Sequence, residues 1–202
     1  MSAIFFYGTM CHWPLLEIVL GRTLTKADLV KTTLPDHAAH WVAGEHYPMI
    51  STQVGDAVEG IALLDPTDTD IARLNYYEGG FGYSLRPVQA FAKDGPEIDA
   101  VVFFPPEGSG QRGAVWDVSV WAQKWSEIHM RAAADAMTHF GDWSAQDLAE
   151  RLPFLRRRAD VKIAAEHRGR AYDHIEGAQD VQIVSQTRVY EHFFAVDETV
   201  LR

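Results

Sequence analysis

The stretch IFFYGTM, residues 4 to 10, restricts the fold of this chain more than any other feature. Ile4, Phe5 and Phe6 read as a strand, and the strand breaks at Tyr7-Gly8-Thr9 almost before the chain has begun. A short helix must follow at once. Pro14 suits a first helical turn, Leu15, Leu16, Val19 and Leu20 supply the apolar positions, and Gly21 is the stop. A strand, a glycine turn and a helix therefore occupy the first 21 residues, and the turn presents successive backbone N–H groups suited to a carboxylate or carbonyl oxygen.

The next segments, ADLVKTTL, AAHWVAG, YPMIST and AVEGIALL, are rich in β-branched and aromatic residues and bounded by turn formers, so they read as four short strands. DPTDTDIARLNYYEGG has a cap-rich start, Ile71, Leu74 and Tyr77 at helical spacing, and two closing glycines. It reads as a helix ending at an acidic residue. YSLRPVQAFA and EIDAVVFFP restore the strand pattern, so residues 1 to about 105 alternate many strands with two helices. The expected class is α+β, with a small mixed β-barrel in residues 1–110 and a helical extension ending in a strand in residues 111–202.

Within that extension, Val118, Trp121, Trp125, Ile128, Ala132 and Met137 fall close to one face of a long amphipathic helix closed by Gly141. The two tryptophans read as core packed on the barrel. Ser144 is placed to cap a further helix, and Pro153 to open another through PFLRRRADVKIAAEH. EGSGQRG, residues 107–113, reads as the linker, and QDVQIVSQTRVYEHFFAV returns to strand.

Composition narrows the function. With 202 residues, 47% of them hydrophobic, the chain buries a core without staples, and a single cysteine forms no internal disulfide. A net charge of -10 disfavours nucleic acid and anionic membranes. MSAIFFYGTM has neither a basic leader nor a sustained apolar stretch, so the expected location is cytoplasmic. Cys11 and His12 show no arrangement that would activate a thiol. His37, His40 and His46 are not spaced as metal ligands on a strand. Arg156-Arg157-Arg158 reads as a solvated helix face, with a phosphate-bearing ligand or an acidic partner surface as the functional alternative.

Two features combine chemically. The Tyr7-Gly8-Thr9-Met10 turn offers its backbone N–H groups, and Glu78 stands among Tyr76, Tyr77, Phe81 and Tyr83, where desolvation raises a carboxyl toward a pKa useful for proton transfer. On FFYGTM, EGIALLD and LNYYEGGFGY, the first half of the chain resembles the gamma-glutamylcyclotransferase-like family. Met10 stands where that family usually has Leu, and Asn75 where Asp is frequent. The resemblance implies a small mixed barrel whose glycine turn and glutamate face one cavity. It also implies an enzyme that cyclises a small gamma-glutamyl compound to 5-oxoproline and frees an amine or amino acid, with no cofactor and no metal. Glu78 would be acid and base, Tyr7, Gly8, Thr9 and Met10 would hold the substrate, and Tyr83 would add a hydroxyl.

The closing stretch, residues 184–202, resembles the leading strands of Nudix ADP-ribose pyrophosphatases. This implies a Nudix domain as partner or fusion, and as the alternative function a non-catalytic binding or accessory module of such a protein, similar to tellurite-resistance proteins. The chain contains no G-x5-E-x7-R-E-x2-E-x-G box, so Nudix chemistry itself is not expected of these residues. Oligomeric state is not legible from the sequence.

Overall fold

The structure, a computed structural model, describes residues 3–92, 95–173, 183–191 and 194–201, with side chains through residue 168. Its elements are β1 (Ala3–Phe6), α1 (Trp13–Leu20), β2 (Leu29–Val42), β3 (Pro48–Leu64), α2 (Asp68–Glu78), β4 (Ser84–Ala92), β5 (Glu97–Phe104), β6 (Arg112–Val115), α3 (Val118–Met137), α4 (Ala145–Asp173), β7 (Ile183–Glu191) and β8 (Phe194–Leu201). Five of the strands close a mixed barrel. In the ring β3-β1-β5-β4-β2, β1 runs parallel to β5 and antiparallel to β3, and the β2–β3 pairing closes the circle.

β1 is buried along its whole length because it separates two cores. Ala3, Phe5 and Tyr7 point into the barrel with Leu34, Ile50, Val58 and Val102, while Ile4 and Phe6 face the helices. Ala39, Ala62, Ala90 and Ala100 keep the barrel interior narrow enough to be filled by side chains. The outer core joins Leu15, Leu16 and Val19 of α1, Leu74 of α2, Trp121 and Ala132 of α3, and Leu148 and Leu152 of α4.

Three expectations change. The four strands expected between residues 27 and 64 are two long ones. The Pro35-Asp36 break is a bulge, at which the register shifts between Pro35 and His37 and Asp36 takes φ 56°. Its carboxylate accepts the Gly55 N–H at 2.9 Å, so the irregularity is stitched across both strands and pairing resumes beyond it. The two helices expected around Pro153 are one, Ala145–Asp173, because Leu148, Leu152 and Leu155 form a continuous buried stripe that outweighs the hydrogen bond proline omits. Part of the expected linker is strand: β6 pairs with the end of β2 through His40 opposite Val115 and Val42 opposite Arg112.

By its contacts the chain divides into Met1–Asp160 and Val161–Arg202. The first unit thus carries α3 and the first half of α4 together with the barrel, whereas the sequence reading separates residues 1–110 from the rest. Trp121, fully buried, explains the association: its indole N–H donates to the His46 carbonyl at 2.9 Å, tying α3 to the β2–β3 turn. Within the second unit, β7 and β8 form an antiparallel hairpin. The resemblance at residues 184–202 falls on this hairpin, except that residues 192, 193 and 202 lie outside the described ones, as do residues 179–182 of the expected terminal strand.

Candidate active site

β1 delivers Tyr7 to the barrel interior, and the chain then tightens into a single 3-10 turn, Thr9–Cys11. Cys11 N–H donates to Gly8 O and His12 N–H to Thr9 O, both at 3.0 Å, which leaves the Thr9 and Met10 N–H groups without partners inside the turn. Gly8 is needed for close approach, since a Cβ there would lie 2.9 Å from Cγ of Pro48. Met10 is buried in the outer core. Cys11 donates its Sγ–H to Phe6 O at 3.1 Å, and burial pushes its thiol up to about 12, so it stays protonated and is a packing group.

Glu78 is fixed from the other end of its helix. Thr67 and Asp70 form a capping box at the start of α2, and Arg22 grips the buried Asp70 carboxylate with two hydrogen bonds of 3.0 Å. Past Glu78 the chain makes a 3-10 turn, Gly79–Phe81, and Gly82 at φ 77° swings Tyr83 back toward the carboxyl. The same turn receives α4. A Cβ on Gly80 would lie 1.9 Å from the Ala145 carbonyl oxygen, so only glycine lets the start of α4 seat there.

Between turn and helix end lies a cavity of about 310 Å³. Tyr7, Gly8, Thr9, Met10, Glu78 and Tyr83 all line it, so the six residues singled out in the sequence share one space. Its volume is at the small end of the range for ligand pockets. Burial raises the Glu78 carboxyl to about 7, with the Arg156 guanidinium pulling the other way. Tyr83 and Tyr7 are raised by burial and then by neighbours that include Glu78, so both remain neutral hydroxyls. The site thus holds one carboxyl poised to exchange a proton near neutrality and a wall of uncharged aromatic hydroxyls. Among the described residues no group of three or more His, Cys, Asp or Glu is arranged to hold a metal.

Arg156 is the cavity residue that sequence reasoning assigned elsewhere. Of the three arginines expected on a solvated face, Arg157 and Arg158 are exposed, and Arg158 pairs with Asp135 of α3. Arg156 is half-buried, lies 5.7 Å from the centre of the Tyr47 ring, and has an Nε with no hydrogen-bond partner. The signal was present. Leu148, Leu152 and Arg156 stand at successive i+4 steps, so the arginine continues a buried leucine row. Tyr47 was also missed, since it opens the YPMIST stretch, where it reads as one more strand residue.

Residues 4–127 match the model of a family described as gamma-glutamyl cyclotransferase, AIG2-like. AIG2-like protein B of Arabidopsis thaliana is 26% identical over 137 residues, covering 67% of this chain and 75% of that protein. Two solution structures of Arabidopsis thaliana proteins are similar in fold. One has a TM-score of 0.50 at 21% identity, covering 60% of this chain and 80% of the other; the second has a TM-score of 0.50 at 18% identity, covering 70% and 82%.

Proposed function

We propose, from the premise that the chain belongs to the gamma-glutamyl cyclotransferase, AIG2-like family, that it cyclises a small gamma-glutamyl compound to 5-oxoproline and releases an amine or amino acid. The observation that carries this reading is the single cavity shared by the Glu78 carboxyl and the Tyr7–Met10 turn.

The substrate's α-amine attacks its own side-chain carbonyl, so both reactants arrive in one molecule and the protein's task is to fold it and move protons. Glu78, ionised, takes a proton from the α-ammonium. The freed amine adds to the carbonyl, closing a five-membered ring, and the oxygen that gains charge lies against the Thr9 and Met10 N–H groups. The C–N bond to the leaving group then breaks as Glu78 returns a proton to that nitrogen. The α-nitrogen gives up two protons between ammonium and lactam N–H, and the leaving nitrogen gains two between amide N–H and ammonium. One carboxyl that takes and returns each proton closes the balance. The reaction needs neither cofactor nor metal, and Tyr83 contributes a neutral hydroxyl to the pocket.

The test is release of 5-oxoproline from a panel of gamma-glutamyl amino acids and amines, with Glu78→Gln alongside. Turnover by the wild type with a loss of about 100-fold or more in the variant supports the reading. Silence of a folded wild type toward the whole panel overturns it. The alternative of a Nudix-associated accessory module rests on residues 184–202, and no feature of the cavity favours it.

A further inference from the structure

We propose that Arg156 of α4 is the carboxylate-recognition group of this cavity, binding the α-carboxylate of the gamma-glutamyl unit and thereby presenting the adjacent ammonium to Glu78. The inference rests on the cyclotransferase reading and names a specificity residue outside residues 4–127, the part of the chain that matches the family model.

Three observations carry it. Arg156 and Glu78 line the same cavity, so among the described residues it is lined by one cation and one carboxyl. In a gamma-glutamyl compound the ammonium and the carboxylate share one carbon, so the group that takes the proton and the group that holds the carboxylate must be neighbours. An arginine beside the base meets that requirement, and the pair mirrors the zwitterion, carboxylate to guanidinium and ammonium to carboxyl. Second, the Arg156 Nε is buried without a hydrogen-bond partner, which is costly unless an acceptor arrives. Third, the guanidinium is positioned: the neighbouring Leu155 is buried in the outer core, the Tyr47 ring packs near the guanidinium, and α4 is seated on Gly80 directly after the Glu78 turn. Its position is tied by packing to that of Glu78.

Equilibrium binding separates this inference from the activity. 5-Oxoproline, which carries the carboxylate, and 2-pyrrolidone, which lacks it, are titrated into the wild type, Arg156→Met and Arg156→Lys by calorimetry. Thermal melts check that each variant is folded. The wild type is expected to prefer 5-oxoproline by about ten- to hundredfold, the range for hydrogen bonds to a charged group. Arg156→Met should lose that preference while keeping its affinity for 2-pyrrolidone, and Arg156→Lys should recover part of it. Equal binding of the two ligands by the wild type, an equal loss of both in a folded Arg156→Met, or no binding of either overturns the proposal. Should Arg156→Met fail to fold, a preference in Arg156→Lys equal to that of the wild type overturns it, and a reduced one supports it. A carboxylate preference that depends on Arg156 in a protein that releases no 5-oxoproline overturns the cyclotransferase reading and leaves the carboxylate site. Turnover without the preference overturns the site alone.

Discussion

Glu78 is costly to the fold in the form its proposed chemistry requires. A carboxyl at about 7 in the folded chain and 4.5 outside it binds a proton more tightly when folded. The stability it permits is complete below pH 4.5 and declines as pH rises to 7, after which the deficit, up to about 3 kcal/mol, is constant. Glu78→Gln should therefore be more stable than the wild type above pH 7 and nearly equal to it at pH 4, measured by urea unfolding at both values. The same group sets the acid limb of activity. kcat/KM for a gamma-glutamyl substrate should rise with pH through an apparent pKa near 7, and in Arg156→Met the limb should move to higher pH, since the guanidinium holds the carboxyl down. A limb that stays in place in that variant would remove the electrostatic link between the two residues.

Among elements, the seat of α4 on the Glu78 turn gives a matched pair. Gly79 has φ -66° and a new Cβ there would meet only the Ala145 Cβ at 3.9 Å, whereas at Gly80 it would meet backbone at 1.9 Å. Gly79→Ala should change stability by less than about 1 kcal/mol, and Gly80→Ala should cost about 1–3 kcal/mol or more, read from thermal or urea unfolding. Equal effects would show that α4 is not held there. The elements also explain what was legible in the sequence. Periodicity located α1, α2 and α3, because each carries local apolar spacing and its own caps. It did not foresee that α4 runs through Pro153 or that the Asp36 bulge lets β2 and β3 continue, since both outcomes depend on packing between distant segments. Of the site, Tyr7 to Met10, Glu78 and Tyr83 stood out because turn glycines and a helix end mark them. Arg156 was hidden by the arginines beside it, whose charge reads as solvation, while the i+4 row of leucines that decides its direction is visible only once the helix is known to be continuous.

At the scale of the molecule, a second buried ionisable group opposes Glu78. His129 is fully buried against Trp121, with ring centres 5.2 Å apart, and burial lowers it to about 2. The unfolded chain takes up this proton near pH 6.5 and the folded chain does not, so His129 costs stability as pH falls below 6.5. Between pH 4.5 and 6.5 the two groups bind compensating protons, and their joint contribution should be flat. Below 4.5 the histidine acts without that offset, at about 1.4 kcal/mol per pH unit. Asp147, which its contacts with Ser144 and Arg151 hold down at about 2, adds a loss in the same direction only below 3.8. His129→Leu should flatten the acid side of a plot of unfolding free energy against pH. An unchanged slope would mean that the histidine is charged in the folded state or reaches solvent.

The three walls of the cavity come from the start, the middle and the far end of the Met1–Asp160 unit, and this orders events on the ribosome. A growing chain emerges with its strand and glycine turn first, its acid next and its arginine last. Until α4 has left the exit tunnel, the carboxyl has no cation beside it and its wall is open to water. A nascent polypeptide therefore completes its pocket only once α4 has emerged, and any product released before that point lacks the arginine.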